Sequence, residues 1–373
     1  MNSTAYLLVD NCGPEIRHRS GLTAPDKFIY LAPVDGVPTV FFDAREFGIQ
    51  KEKVKQLENG VVIKALEPYM AKIKKQPAGP LVATLLVILK EYKIDTLLIS
   101  ASLSYSLAHE LEAAGKKLVV YSYEKEREHK TRQELNHIIE TQRVNERAFV
   151  LAWNILKGSK IRKNRLIYRD RVLTSERLKS IIRKFFLEHG LDCPDGIIIA
   201  SGSQTSRPHD MGMGPLLPNE CIIIDIFPRS EKTGFFADMT RTFVKGEPSE
   251  KIKSLFTAVQ AVQKKVADSV EIGNPCAQVH QLTVGAFAAL GHPSSYERGF
   301  MHGTGHSLGL GIHEGPYLNA YDDRKVEPGM VFTIEPGLYY PDIGGVRIED
   351  IVLFTEAGEK KKITCFDQPY FIP

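Results

Sequence analysis

Residues 222–244 read IIIDIFPRSEKTGFFADMTRTFV, two apolar runs at 222–227 and 235–244 parted by Pro228, Ser230 and Gly234. β-Branched and aromatic residues fill both runs and turn formers separate them, so the stretch predicts a β-hairpin. With the turn centred near Glu231 and Lys232, Asp225 lies directly opposite Asp238. Directly opposed side chains share a face with Cβ atoms about 4.5–5.5 Å apart, and two like charges there are destabilising unless something positive sits between them. Aspartate is also depleted in strands, and Asp225 follows three isoleucines. A metal ion is the natural neutraliser.

A second pair of runs repeats the pattern. Residues 331–340 (VFTIEPGLYY) and 344–353 (GGVRIEDIVL), with a turn at 341–344, bring Glu335 opposite Glu349. Between the two hairpins, residues 301–316 (MHGTGHSLGLGIHEGP) carry His302, His306 and His313. Glycines at 303, 305, 309 and 311 argue against a helix, so His302 and His306 are not a helical zinc pair, and no HExxH motif is present. Four buried carboxylates cost several kcal/mol each without compensation, whereas two divalent cations neutralise Asp225, Asp238, Glu335 and Glu349 together. Oxygen ligands with one imidazole suit manganese, cobalt, zinc or iron(II). Ions held about 3.5–4 Å apart around a nucleophilic water point to metal-assisted hydrolysis. Thr240 shares the face of Asp238, as a plain strand former or as a hydrogen-bond partner of a ligand carboxylate. Arg347 shares the face of Glu349 and either pairs with a ligand carboxylate or orients substrate, while Tyr339 and Tyr340 line a pocket or pack.

The rest of the chain supplies the scaffold. Its 373 residues allow two or three domains, and 43% hydrophobic with 25% charged residues is an ordinary globular composition. A net charge of +3 makes no case for a nucleic-acid partner. Seven basic residues against one acid between Lys157 and Arg171 read as a solvated face, since only Tyr168 interrupts them as an aromatic. The N-terminus lacks a basic region followed by an apolar stretch, and the longest strongly apolar run, 81–89, falls far short of the ~18 residues of a membrane span. The expectation is a cytoplasmic protein with no membrane partner. Five scattered cysteines without a CxxC pair are expected to be reduced and structural.

Residues 5–123 alternate short strands (5–9, 28–33, 39–43, 61–66, 96–100 and 117–121) with helical patterns at 81–93 and 104–114, which predicts an α/β domain. Residues 11–26, with Gly13, Pro14, Gly21 and Pro25, are read as a loop holding Arg17, His18 and Arg19, a solvated turn or part of a ligand site. A long helix over 130–157 follows, and beyond it helices at 175–188, 249–270 and 274–291 are expected to lie against an antiparallel sheet. The division expected is 1–128 for the N-terminal α/β domain, 129–158 for a linking helix and 159–373 for an α+β domain.

Taken in order, DIF…ADMTRTF, HGTGHSLGLGIHEGP, VFTIEPGLYY and GGVRIEDIVL resemble the pita-bread metallopeptidases, in particular the Xaa-Pro aminopeptidase and prolidase branch, from about Thr174 onward. EIRHRSGLTAPDKFIYL and FFDAREF resemble the creatinase-type N-terminal domain more loosely. The resemblance implies a pita-bread catalytic domain and two divalent ions, manganese foremost and cobalt, zinc or iron as alternatives. The implied ligands are Asp225, Asp238, His306, Glu335 and Glu349, with Asp238 and Glu349 bridging. It further implies that Glu335 handles the proton of the attacking water and that His209, in SRPHDM, His302 and His313 contact substrate or the tetrahedral intermediate. Proline-containing peptides or dipeptides as substrates and a homodimer follow from the same likeness. Two departures stand out: the hairpin between Asp225 and Asp238 is two residues longer than the family's usual spacing, and the chain starts at a strand without a leading helix. Alternatives in view are a methionine-aminopeptidase-like or other N-terminal exopeptidase, an inactive pita-bread protein, and a metal-free creatinase-like hydrolase.

Overall fold

The computed structural model describes residues 3–57, 59–73 and 79–373. The chain divides into two compact units, Met1–Arg127 and Glu128–Pro373.

In the first unit, β1 (Ser3–Asp10), β2 (Phe28–Pro33), β3 (Thr39–Phe42), β4 (Val62–Ala65), β5 (Ile94–Ile99) and β6 (Lys117–Val120) form one mixed sheet in the order β4-β3-β2-β1-β5-β6. Helices α1 (Pro14–Ser20), α2 (Ala44–Val54), α3 (Glu67–Met70), α4 (Pro80–Glu91) and α5 (Tyr105–Ala113) accompany it. Two apolar clusters lie on its two faces: Ala5, Leu7 and Leu97 pack with Leu85 and Leu89 of α4, and Leu8, Tyr30 and Phe42 pack with Ile16 of α1. The expected loop at 11–26 is therefore corrected. Pro14 and Gly21, read as loop formers, bound a two-turn helix, Pro in its first turn and Gly21 as a left-handed cap at φ 71°. Arg19 on that helix donates from Nε to Glu126 at 2.8 Å, with its guanidinium 3.9 Å from the centre of the Tyr6 ring.

The second unit opens with α6 (Arg132–Lys157), started by a capping box in which Thr131 and Glu134 satisfy one another's backbone N–H groups. The basic run folds as a small meander of β7 (Lys160–Arg162), β8 (Arg165–Tyr168) and β9 (Arg171–Val172). After α7 (Ser175–Leu187) come β10 (Leu191–Asp192), β11 (Ile198–Ser201), β12 (Ile222–Ile226), β13 (Arg229–Ser230) and β14 (Met239–Lys245). Helices α8 (Glu250–Ser269) and α9 (Cys276–Ala289) precede β15 (Gly305–Ser307), β16 (Glu314–Leu318), β17 (Val331–Ile334), β18 (Gly337–Tyr340), β19 (Gly344–Arg347) and β20 (Asp350–Phe354). Period-two alternation sorts these strands into a helix-backed face and a polar face. Ile222, Ile224, Ile226, Met239 and Phe243 pack with α6 and α7, whereas Phe332, Ile334, Val346 and Val352 pack with α8 and α9. The intervening residues, among them Asp225, Thr240, Thr242, Thr333, Arg347 and Glu349, take the other side. There the two halves meet: Thr242 Oγ1 donates to the Arg347 carbonyl and the Glu349 N–H donates to the Thr240 carbonyl.

The predicted register of the first hairpin needs one correction. Asp225 pairs with Thr240, not Asp238. Next to the turn the Ser230 N–H donates to the Phe235 carbonyl at 3.0 Å, which centres the hairpin between Lys232 and Thr233, one residue later than expected. That moves the pairing by two residues, which leaves Asp225 and Asp238 diagonal on the same face. In the second hairpin, Ile334 pairs with Asp350 and Gly337 with Arg347, the register that carries Glu335 opposite Glu349. At that level the ladder parts, since Glu335 donates its N–H to Thr304 and Glu349 to Thr240.

Candidate metal centre

Five side chains on strands or directly beside them converge between the two halves. Asp225 lies on β12, Asp238 just before β14, His306 on β15, Glu335 after β17 and Glu349 between β19 and β20. Asp225, Asp238, His306 and Glu349 are buried, and the Glu335 side chain is 18% exposed. One ligand atom each from Asp238, His306 and Glu349 lies within 4.8 Å of the others.

The hydrogen bonds decide which way the imidazole faces. His306 Nδ1 sits 3.0 Å from the Ser307 carbonyl oxygen, and a carbonyl only accepts, so Nδ1 carries the proton. The lone pair on Nε2 then faces Asp238 Oδ2 at 3.6 Å and Glu335 Oε1 at 3.4 Å. Burial holds the His306 pKa down to about 3, so this is a neutral ring among carboxylates rather than an ion pair. Burial first, and then the neighbouring acids, push the Asp238 and Glu349 carboxyls well above their ordinary range. Glu335 is pushed up to about 7, again chiefly by burial. Acceptors facing acceptors at such distances need protons or a cation between them. Asp225 Oδ1, Asp238 Oδ1 and Glu349 Oε1 are buried without a hydrogen-bond partner. Three orphaned carboxylate oxygens and one imidazole lone pair fit a divalent cation.

The remaining polar atoms of the cluster are tied down by an outer layer. Arg347, buried, donates from Nη2 to Asp225 Oδ2 at 2.6 Å, from Nε to Thr240 Oγ1 at 3.2 Å and from Nη1 to the Tyr339 hydroxyl at 2.8 Å. Thr240 in turn donates to Glu349 Oε2 at 2.7 Å. Arg347 thus bonds to one candidate ligand, Asp225, and Thr240 to another, Glu349. On the far side, Thr333 Oγ1 accepts the His306 N–H at 3.0 Å and donates to Glu335 Oε1 at 3.2 Å.

Residues 136–356, more than half of the chain, match metallopeptidase family M24. The chain belongs to metallopeptidase family M24. An Xaa-Pro dipeptidase of Pyrococcus horikoshii is 37% identical over 165 residues, 44% of this chain and 45% of that relative. The match thus spans less than half of the relative's length. Among solved structures, an Xaa-Pro dipeptidase from Bacillus anthracis superposes with a TM-score of 0.81 at 24% identity, covering 100% of this chain and 95% of that one. An X-Pro aminopeptidase from Thermotoga maritima gives 0.79 at 22% identity, covering 99% and 97%. These likenesses show the pita-bread fold, following in sequence an α/β N-terminal unit.

The centre of the M24 domain opens into a cavity of about 450 Å³. His209, His302 and His313 line it, with Ile198, Phe227 and Ile312 as an apolar wall. His313 stands edge-on to His306, ring centres 4.4 Å apart at 81°, and burial lowers its pKa. His302 is held differently. Its Nδ1 donates to the Gly303 carbonyl at 2.7 Å, and its Nε2 accepts from the Tyr339 hydroxyl at 2.9 Å. Burial, helped by the Arg347 charge, holds His302 down to about 3, and burial lifts Tyr339 up to about 12, so both stay neutral. Two roles in the outer layer are not distinguished by composition: Thr333 reads as a plain strand residue and Tyr339 as pocket lining or packing. Parity held the signal: Thr333 lies two residues before Glu335 and Tyr339 four after, each on the acid's own face.

Proposed function

We propose that this chain is a dinuclear metallo-exopeptidase that hydrolyses Xaa-Pro bonds at the N-terminus of peptides or in dipeptides. The observation that carries it is the convergence of Asp238, His306 and Glu349 within 4.8 Å, beside orphaned oxygens of Asp225, Asp238 and Glu349. The names of the relatives supply the bond: an Xaa-Pro dipeptidase at 37% identity and solved dipeptidase and aminopeptidase structures. In this reading Asp225, Asp238, His306, Glu335 and Glu349 would hold two divalent ions, manganese foremost, with Asp238 and Glu349 serving as ligands to both. Such ions, when bound, polarise a carbonyl and make water acidic enough to attack at neutral pH.

The chain's own groups do the rest. Glu335, whose Oε1 lies 3.4 Å from His306 Nε2, would as a carboxylate take a proton from the attacking water and pass it to the departing amine. His209 and His313 line the cavity with ring N–H groups available to substrate oxygens. His302, with both nitrogens engaged, meets substrate through its ring and holds the Tyr339 hydroxyl toward Arg347. The apolar wall of Ile198, Phe227 and Ile312 suits a proline ring, which offers no amide N–H. Residues 159–373 are the catalytic domain, 129–158 its linking helix and 1–128 the N-terminal domain. Five cysteines without a disulfide suit a reducing cytoplasm, and the homodimer rests on the resemblance alone.

A hydrolysis panel tests this reading. An Xaa-Pro dipeptide, a longer Xaa-Pro peptide and a Met-Ala peptide are offered to metal-free protein and to protein with added manganese, cobalt or zinc. Metal-dependent cleavage of the proline substrates alone is expected. Equal cleavage of Met-Ala would remove the proline specificity, and no cleavage under any metal would remove the activity.

A further inference from the structure

We propose that Lys130 and Glu314 are positioning residues that set His313 in the substrate cavity, an inference that rests on the peptidase reading above. Glu314 follows His313 directly and begins β16, and its carboxylate bonds to Gly311 and Lys130. Its Oε1 accepts the Gly311 N–H at 2.7 Å, and its Oε2 accepts from Lys130 Nζ at 2.9 Å. Both side chains are almost fully buried, 1% exposed for Lys130 and 2% for Glu314. The lysine is itself anchored, its N–H donating to the Gly329 carbonyl at 2.8 Å.

Together these bonds close residues 309–314 into a clasp. The clasp explains glycine at 309, because a Cβ there would come within 2.7 Å of Glu314 Oε2 and 3.1 Å of Lys130 Nζ. The Phe236 N–H donates to the Gly309 carbonyl at 2.8 Å, tying the clasp to the hairpin that carries Asp225 and Asp238. His313 lies within the clasp, directly before β16, exposed to the cavity and edge-on to His306. A buried charge pair is a weak source of stability and a strong constraint on geometry, because neither partner tolerates leaving the other. Here that constraint falls on the backbone next to an imidazole whose displacement by about 1 Å would cost on the order of 10²-fold in rate.

The test is a double-mutant cycle. Lys130→Met should lower kcat by about ten-fold to a hundred-fold with little change in KM and unchanged metal content. Combined with His313→Ala, it should lower kcat no further than His313→Ala alone, since the lysine acts through that ring. Should Lys130→Met fail to fold, the neutral pair Lys130→Met/Glu314→Gln keeps an acceptor for the Gly311 N–H and enters the same cycle. Equal losses in both backgrounds, or loss of metal, would overturn the proposal. Hydrogen exchange at the Gly311 amide gives a readout that needs no turnover: slow in the parent chain and faster in Lys130→Met. Unchanged exchange overturns the clasp even if no peptide is cleaved, whereas a parent chain that cleaves no proline peptide fails the peptidase reading instead.

Discussion

Asp238 shows how much one side chain is asked to do. It is buried, one of its oxygens has no partner, and the other faces the His306 lone pair at 3.6 Å. Asp238→Asn keeps the size and removes the charge, so both ions should bind more weakly while the strand pairing of β12 with β14 persists. Metal analysis after chelation and reloading checks this: a variant holding two equivalents with parent activity removes the shared-ligand assignment. At this scale the chemistry was open to a reader of the sequence. The acids, diagonal in register, need only period-two alternation to be placed on one face, whereas the histidines of the glycine-rich run do not follow that alternation, since His313 differs in parity from His302 and His306. What stayed hidden was the direction of each polar atom. Whether Arg347 would turn to Asp225 or to substrate, and whether Tyr339 would pack or bond, depends on which strands cross at Thr240, a contact between segments about a hundred residues apart.

Elements carry the site only if they approach closely enough. β15 holds His306, and a Cβ at Gly305 would overlap the Thr333 carbonyl of β17. The Thr333 hydroxyl links the His306 N–H to Glu335, so that approach couples two candidate ligands. Gly305→Ala should therefore push β15 away, weakening metal affinity about ten-fold or more, the range for losing a supporting contact at a metal ligand. Titration calorimetry against the parent chain is the check, and unchanged affinity would mean that the close approach is dispensable. The same scale shows where punctuation misleads. Pro14 and Gly21 read as loop because they break helices in general, yet at the two ends of a short helix they are its start and stop. In the turn from Ser230 to Gly234, composition identified a hairpin but not its centre, and the register moved by two residues. Only an even shift leaves the acids on one face, so the site withstood the error.

For the molecule as a whole, the cluster makes stability depend on pH and on metal together. Glu335, Asp238 and Glu349 have folded pKa values raised above their unfolded ones, so their contribution is greatest in acid and is lost as pH rises, for Glu335 through about 7. His302 and His306, lowered to about 3, act in the opposite sense, destabilising the fold as pH falls from about 6.5 toward 3. Above pH ~6.5 the histidine contribution is complete and only the acids remain. The metal-free protein should therefore melt at a lower temperature at pH 8 than at pH 6.5, and a divalent cation should raise the melting temperature more at pH 8. Differential scanning calorimetry at the two pH values, with and without manganese, measures both. A metal-free protein more stable at pH 8 would show that the carboxylates are relieved by something other than a cation.

The most direct test of the metal centre is paired, bound metal equivalents and turnover of an Xaa-Pro substrate on the same preparations of the parent chain, His306→Ala and His313→Ala. Two equivalents are expected in the parent. His313→Ala should retain both ions and turn over about 10²–10³-fold more slowly, the loss typical of one donor to a developing oxyanion. His306→Ala should lose affinity for at least one ion. If His313→Ala loses metal while His306→Ala keeps both ions, the ligand assignment between residues 301 and 316 is wrong and the centre is not the one described.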